Sequence, residues 1–320
     1  MTINMTNIID LQIQSKASDG VHPPRELIRM ARERNIEVLS LTDHDTVAGV
    51  SEALEAGGEL GVRVIPGIEI SVEDRGAHIL GYGIDCKNPL LNERLLEVAK
   101  KSRLEAAQKM VENLKKAGFQ VEWEDVLREV TGSVVARPHI AQAVLRRPEN
   151  KEKLGGIKTV HDFIGAHLTD ESPNYFPRAH IRVSDAITLI HEIGGVAIWS
   201  HPAIHFNGDY EALGNFLGEL RRAELDGVEV FNPSHTEDDV EFLQTLTAKY
   251  ELLTTAGSDY HGFDTRVPSQ GEEGSPRGEE GMHSAQFIGD YQTYGFSTEK
   301  IVTLLDEAIR RSKRRIVGQK

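Results

Sequence analysis

The chain has 320 residues, with 36 lysines and arginines against 50 aspartates and glutamates, a formal net charge of −14 at pH 7. That balance argues against an extended surface for a nucleic-acid backbone, and the single cysteine, Cys86, excludes an intramolecular disulfide and a cysteine-rich zinc site. The length suits one large α/β domain, or one with a substantial insertion. No basic-then-apolar leader is visible and no stretch approaches the roughly 20 apolar residues of a membrane span, so a soluble, cytoplasmic protein is expected.

Ile8 to Ile13 reads as a short buried strand with polar residues in it. It belongs to the stretch Asp10 to Gly20, DLQIQSKASDG, which ends in a turn at Ser18, Asp19 and Gly20. Pro23 and Pro24 open an amphipathic helix through Leu27, Ile28 and Ala31. Ile36 to Thr42 predicts a second strand, ending in Asp43, His44 and Asp45, and Thr46 to Leu60 a helix. Val62 to Ile70 predicts a third strand with Glu69 near its end, and Ala77 to Tyr82 a fourth that contains His78. Two strands in succession suggest a hairpin. The rhythm then turns helical over Leu90 to Gly118, Trp123 to Val130, Pro138 to Arg147 and Val160 to Leu168.

Residues 88–182 are therefore expected to form an inserted helical subdomain, with 1–87 and 183–320 as the discontinuous main domain. Strands resume at Val196 to Ser200, Val228 to Phe231 and Leu252 to Gly257, separated by helices over Asp209 to Arg222 and Thr236 to Tyr250. Repeated strand and helix units with short connections imply a parallel sheet, open or closed. Phe263 to Met282, with GEEG at Gly271 and Gly278, is polar and expected to be mobile. Ser297 caps a last helix, and the basic tail from Arg310 is expected to fray.

Gln12, Gln14, His44, Glu69, His201, Asp259 and His261 share one feature: each falls at or just past the carboxyl end of an expected strand. Barrel enzymes place their active sites on that rim. One histidine near a strand end is more often a hydrogen-bonded structural residue than a metal ligand. Together the residues carry more weight, because Asp43-His44 and Asp259-Tyr260-His261 both follow apolar strands. Imidazole with carboxylate suits Zn, Mn or Fe, ions that generate hydroxide near neutral pH.

The blocks DLQIQSKASDG, LTDHDTVAG, VIPGIEIS, AHILGYG, RPHIA, WSHP and GSDYHG, in this order, resemble the PHP (polymerase and histidinol phosphatase) superfamily. The insertion with RPHIA looks like the branch that acts on nucleotide and RNA 5′-phosphates. The resemblance implies a distorted (β/α)7 barrel holding up to three metals: Asp19, His44 and His261 at one, and Glu69, His78 and His201 at a second. Glu69 would reach towards a third, completed by Asp259 and the two histidines of the family motif DLHxHS. Here those two positions are Gln12 and Gln14. A glutamine offers a neutral carbonyl oxygen or an NH₂ donor, a poor ligand for such ions, so two divalent metals (Mn, Fe or Zn) and a weakened third site are expected.

The implied function is hydrolysis of a phosphate ester of a 5′-phosphorylated nucleotide or short RNA by metal-bound hydroxide. Arg137 in RPHIA is the foremost phosphate contact, because a guanidinium matches phosphate in a fork. Arg178 and His235 are further candidates. Gln12 and Gln14 leave a second reading open, an impaired or engineered member that binds a phosphorylated ligand without efficient turnover.

Overall fold

A computed structural model describes residues 8–130, 135–169, 171–176, 181–262 and 285–318. The chain forms two compact units, Met1–Leu95 with Ile181–Lys320, and Leu96–His180. The expected mobile segment from Phe263 to Met282 lies outside the described residues.

The first unit is built on one seven-stranded sheet in sequence order: β1 (Ile9–Ile13), β2 (Val38–Leu41), β3 (Arg63–Ser71), β4 (His78–Tyr82), β5 (Val196–Trp199), β6 (Gly227–Phe231) and β7 (Leu253–Ala256). β1 to β3 are parallel, as are β5 to β7, and β4 is antiparallel to both of its neighbours. The sheet nearly closes on itself where β1 meets the end of β7. There the Asp259 amide donates to Gln12 O and the Gln14 amide to Tyr260 O, both at 2.9 Å.

Closure explains the burial. β1 and β6 are buried at every position, because one face packs against helices and the other against the inside of the barrel. Leu27, Ile28 and Ala31 of the helix Pro24–Glu33 meet Leu39, Leu41 and Ala53 in one such outer core. The period of two then puts Asp10, Gln12 and Gln14 together on the opposite face from Leu11 and Ile13.

The closing seam is narrow. A Cβ added to Gly257 would lie 2.4 Å from the Gln12 Cβ and 2.7 Å from Glu229 Oε1, so only glycine lets β7 pass that close to β1.

The second unit has its own core, in which Met110, Leu114, Phe119, Ile140 and Phe163 are buried. Several helix limits differ from the sequence reading. The second helix begins at Val50, not Thr46. The long charged helix is regular only over Glu97–Lys116, after a wider turn at Asn92–Leu96. A helix at Val183–Glu192 had no counterpart in the periodicity reading. The basic tail does not fray at Arg310, since the last helix runs from Ile301 to Gly318.

Candidate metal centre

β1, β2, β3, β5 and β7 deliver their polar residues to one rim in the way parallel strands do, from their carboxyl ends. His78 reaches the same rim by the opposite route. It is the first residue of β4 and pairs with Ser71 at the end of β3, so the reversed strand brings its amino end to where its neighbours finish.

Asp19 lies on the loop after β1, which is folded around the buried Asp43. That carboxylate accepts hydrogen bonds from the Ser15 amide at 2.7 Å, the Ser15 hydroxyl at 2.8 Å and the Ser18 hydroxyl at 2.7 Å. Asp43 is thus a brace for the loop, and burial raises its carboxyl above the usual range.

Two groups of side chains converge on the rim. Asp19, His44 and His261 form one, and His44, Glu69 and His78 the other, with His44 common to both. In the first, His44 Nε2 is 3.9 Å from Asp19 Oδ2 and His261 Nε2 is 3.6 Å from Asp19 Oδ1. In the second, His44 Nε2 is 3.9 Å from Glu69 Oε2. Such separations exceed a hydrogen bond, and they suit nitrogen and oxygen donors that share an ion at about 2.0–2.2 Å from each.

His201 joins the second group through Glu69. Oε1 of Glu69 lies 3.0 Å from His78 Nδ1 and 3.2 Å from His201 Nε2, and the two ring nitrogens are 3.3 Å apart. Two imidazoles and a carboxylate therefore point at one place. Asp259 sits beside His261, with its Oδ1 3.8 Å from His261 Nδ1, and that buried oxygen has no hydrogen-bond partner.

The carboxylates and imidazoles of the centre act strongly on one another. Burial lowers the His261 imidazole, yet the carboxylates of Asp259 and Asp19 outweigh it and raise the group to about 9. Burial raises Glu69, but the field of His44 and the hydrogen bonds from His201 and His78 hold it well below the ordinary carboxylate range. The donor set, its spacing and its charge all fit divalent ions.

Gln12 and Gln14 meet this centre through their amide nitrogens. Gln12 Nε2 donates to Glu69 Oε2 at 3.1 Å and to Ser200 Oγ at 2.9 Å, and Gln14 Nε2 donates to Glu69 Oε2 at 2.6 Å. Because the ionised Glu69 can only accept, its neighbours must turn their NH₂ groups towards it. Ser200 Oγ adds a donor to Oε1 at 3.1 Å.

The candidate phosphate contacts fare differently. Arg137 is in the second unit, at the start of the helix Arg137–Leu145, where it donates to Leu168 O at 3.2 Å and lies over the Tyr175 ring. Arg178 is outside the described residues. His235 is turned inward, which removes the reason for placing it at a phosphate. Its Nδ1 donates to Val230 O at 2.8 Å, its Nε2 is 3.5 Å from the Ala203 amide, and burial holds its imidazole down to about 4. A neutral histidine with both nitrogens against backbone is a packing residue.

The strand reading also missed Glu229. It is fully buried in β6 and accepts a hydrogen bond from the His201 amide at 3.0 Å. The signal was present as a lone carboxylate inside the apolar run VEVF.

A barrel rim that gathers histidines and carboxylates in this way can hold divalent ions for metal-assisted hydrolysis. Comparison with known proteins specifies the family: the PHP domain matches residues 10–172. Phosphoribosyl 1,2-cyclic phosphate 1,2-diphosphodiesterase from Eggerthella lenta is 31% identical, over 82% of this chain and 98% of its own. A 5′-3′ exoribonuclease from Haemophilus influenzae is 30% identical, over 80% and 91%. A 3′,5′-nucleoside bisphosphate phosphatase from Chromobacterium violaceum is 30% identical, over 79% and 87%. The structure of an amidohydrolase from Chromobacterium violaceum, with bound sulfate and no metal, superposes with a TM-score of 0.70 at 29% identity, covering 80% of this chain and 88% of that one. The chain belongs to the PHP family and is a metal-dependent phosphoesterase of that family.

Proposed function

We propose that the chain hydrolyses a phosphate ester of a 5′-phosphorylated nucleotide or short RNA. The convergence of Asp19, His44 and His261, and of His44, Glu69 and His78, on one barrel rim carries this reading. The names of the relatives agree on substrate chemistry: the two whose names specify a phosphate each act on one carried by a ribose or nucleoside, and the third acts on RNA.

Asp19, His44 and His261 would hold one divalent ion, and Glu69, His78 and His201 a second, with His44 close enough to serve either. Asp259 stands next to the first group. Bound there, the ions supply Lewis acidity, which offsets phosphoryl charge and makes water a better nucleophile. The chain's own contribution is to fix the donors. Glu69 is locked by five hydrogen-bonding neighbours, and Asp43 braces the loop of Asp19.

A second reading is favoured by one observation, that Glu69 Oε2 is already taken up by two amide donors. On that reading the chain binds a phosphorylated ligand and turns it over poorly. Release of inorganic phosphate from a nucleoside 3′,5′-bisphosphate and from a 5′-phosphorylated RNA oligonucleotide, with Mn, Fe or Zn added and with chelator, separates the two. Chelator-sensitive release supports the hydrolase. Saturable substrate binding with no release under any metal overturns it in favour of the binding protein.

A further inference from the structure

We infer that Glu229 is a positioning residue, which grips His201 by its backbone so that the imidazole is set against Glu69 and His78. The inference rests on His201 being a metal-holding residue.

His201 lies two residues past the end of β5, after Ser200, and has φ 27 and ψ 56, a left-handed conformation that a non-glycine residue keeps only where its surroundings impose it. The imposing contact is identifiable. Glu229 Oε2 accepts the His201 N–H at 3.0 Å and, at the same distance, Asn232 Nδ2. The carboxylate comes from the adjacent strand, β6, where it lies between the apolar neighbours Val228 and Val230 and is wholly buried.

A buried carboxylate in the middle of a strand is a strong structural liability unless it has work to do. Here its room is reserved by Gly257, since a Cβ there would come within 2.7 Å of Glu229 Oε1. Asn232 carries the tie further, because its Nδ2 is also 3.5 Å from Gln12 Oε1. Gln12, Asn232, Glu229 and His201 therefore form one connected line, running from the glutamine beside Glu69 to the backbone of the histidine on the other side of it. If the line is cut at Glu229, the backbone of His201 is released from its left-handed turn and the imidazole loses its fixed direction.

The test is a Co(II) titration of the full-length chain, read by visible absorption, in the native protein and in Glu229→Gln, Glu229→Leu and His201→Ala. Glutamine keeps an acceptor for the His201 N–H, whereas leucine keeps the size and removes it. The expected result is Co(II) binding weakened about 10- to 100-fold in Glu229→Leu, within about threefold of native in Glu229→Gln, and no further loss when Glu229→Leu is added to His201→Ala, as coupled residues behave. Native-like Co(II) affinity and band shape in Glu229→Leu overturn the inference. So does a full loss in Glu229→Gln, which decides the matter alone if the leucine variant does not fold. A native chain that binds no Co(II) removes the metal centre itself, an outcome distinct from the other two.

Discussion

Gln14 Nε2 donates to Glu69 Oε2 at 2.6 Å, the shortest of the contacts that hold this carboxylate. With Gln12 at 3.1 Å on the same oxygen, two neutral amides occupy the side of Glu69 turned towards β1. The place where the PHP resemblance calls for a metal between two histidines and Glu69 is thus furnished with donors of the protein's own. A metal there would have to displace both hydrogen bonds and accept two weak ligands in exchange.

Replacing Gln14 by leucine leaves Glu69 Oε2 with Gln12 alone in the metal-free chain. A buried charged acceptor short of a donor costs about 1–3 kcal/mol. The urea midpoint measured in chelator should fall accordingly. An unchanged midpoint would show that the 2.6 Å contact bears no weight.

Gly257→Ala places a methyl group against both Gln12 and Glu229 at the seam where the barrel closes. Overpacking of this kind costs about 1–3 kcal/mol, and the displaced Gln12 should alter the centre. A loss of thermal stability together with weakened metal binding is the expected pair of effects, measured by calorimetry and metal titration. A loss of stability alone would detach Gly257 from the site.

His235 predicts a pH dependence of stability. Its folded value is about 4 against 6.5 for an ordinary imidazole, with burial as the main cause and its hydrogen bond to Val230 opposing. Between those values the unfolded chain binds a proton that the folded chain refuses, so stability falls as pH drops through the window from 6.5 to 4 and is full above it. The difference of 2.5 pH units, at 1.36 kcal/mol each, amounts to about 3 kcal/mol. Unfolding free energies of the native chain and of His235→Leu in chelator should diverge in slope across this window and run parallel above it. Parallel curves throughout would mean that His235 is protonated in the fold or reached by water.

The strands were the legible part of this sequence. Most are largely apolar runs closed by turns, and the ends of several carry the ligand candidates, so the rim could be read before any geometry. His78 was legible only as a strand residue, since its place on the rim depends on β4 running backwards. Glu229 escaped because a single carboxylate in VEVF breaks no periodicity and its partner is a backbone amide that no pattern reveals. His235 misled for the converse reason: its position after β6 resembles a rim residue, while its ring turns into the core. The helix Val183–Glu192 follows directly on a polar, proline-containing stretch and its first cap residue, Arg182, makes no side-chain capping bond, so no start signal announced it.

The most direct measurement is the number of metal ions per chain, taken by elemental analysis of protein loaded with Mn, Fe or Zn and freed of excess. The native chain should hold two, at the groups containing Asp19 and His78. Gln12→His with Gln14→His should raise this to three and increase phosphate release from a nucleoside 3′,5′-bisphosphate, because imidazoles would replace the amide donors at Glu69. Three ions in the native chain, or two in the double variant, would contradict the assignment of Gln12 and Gln14 as occupants of the third position.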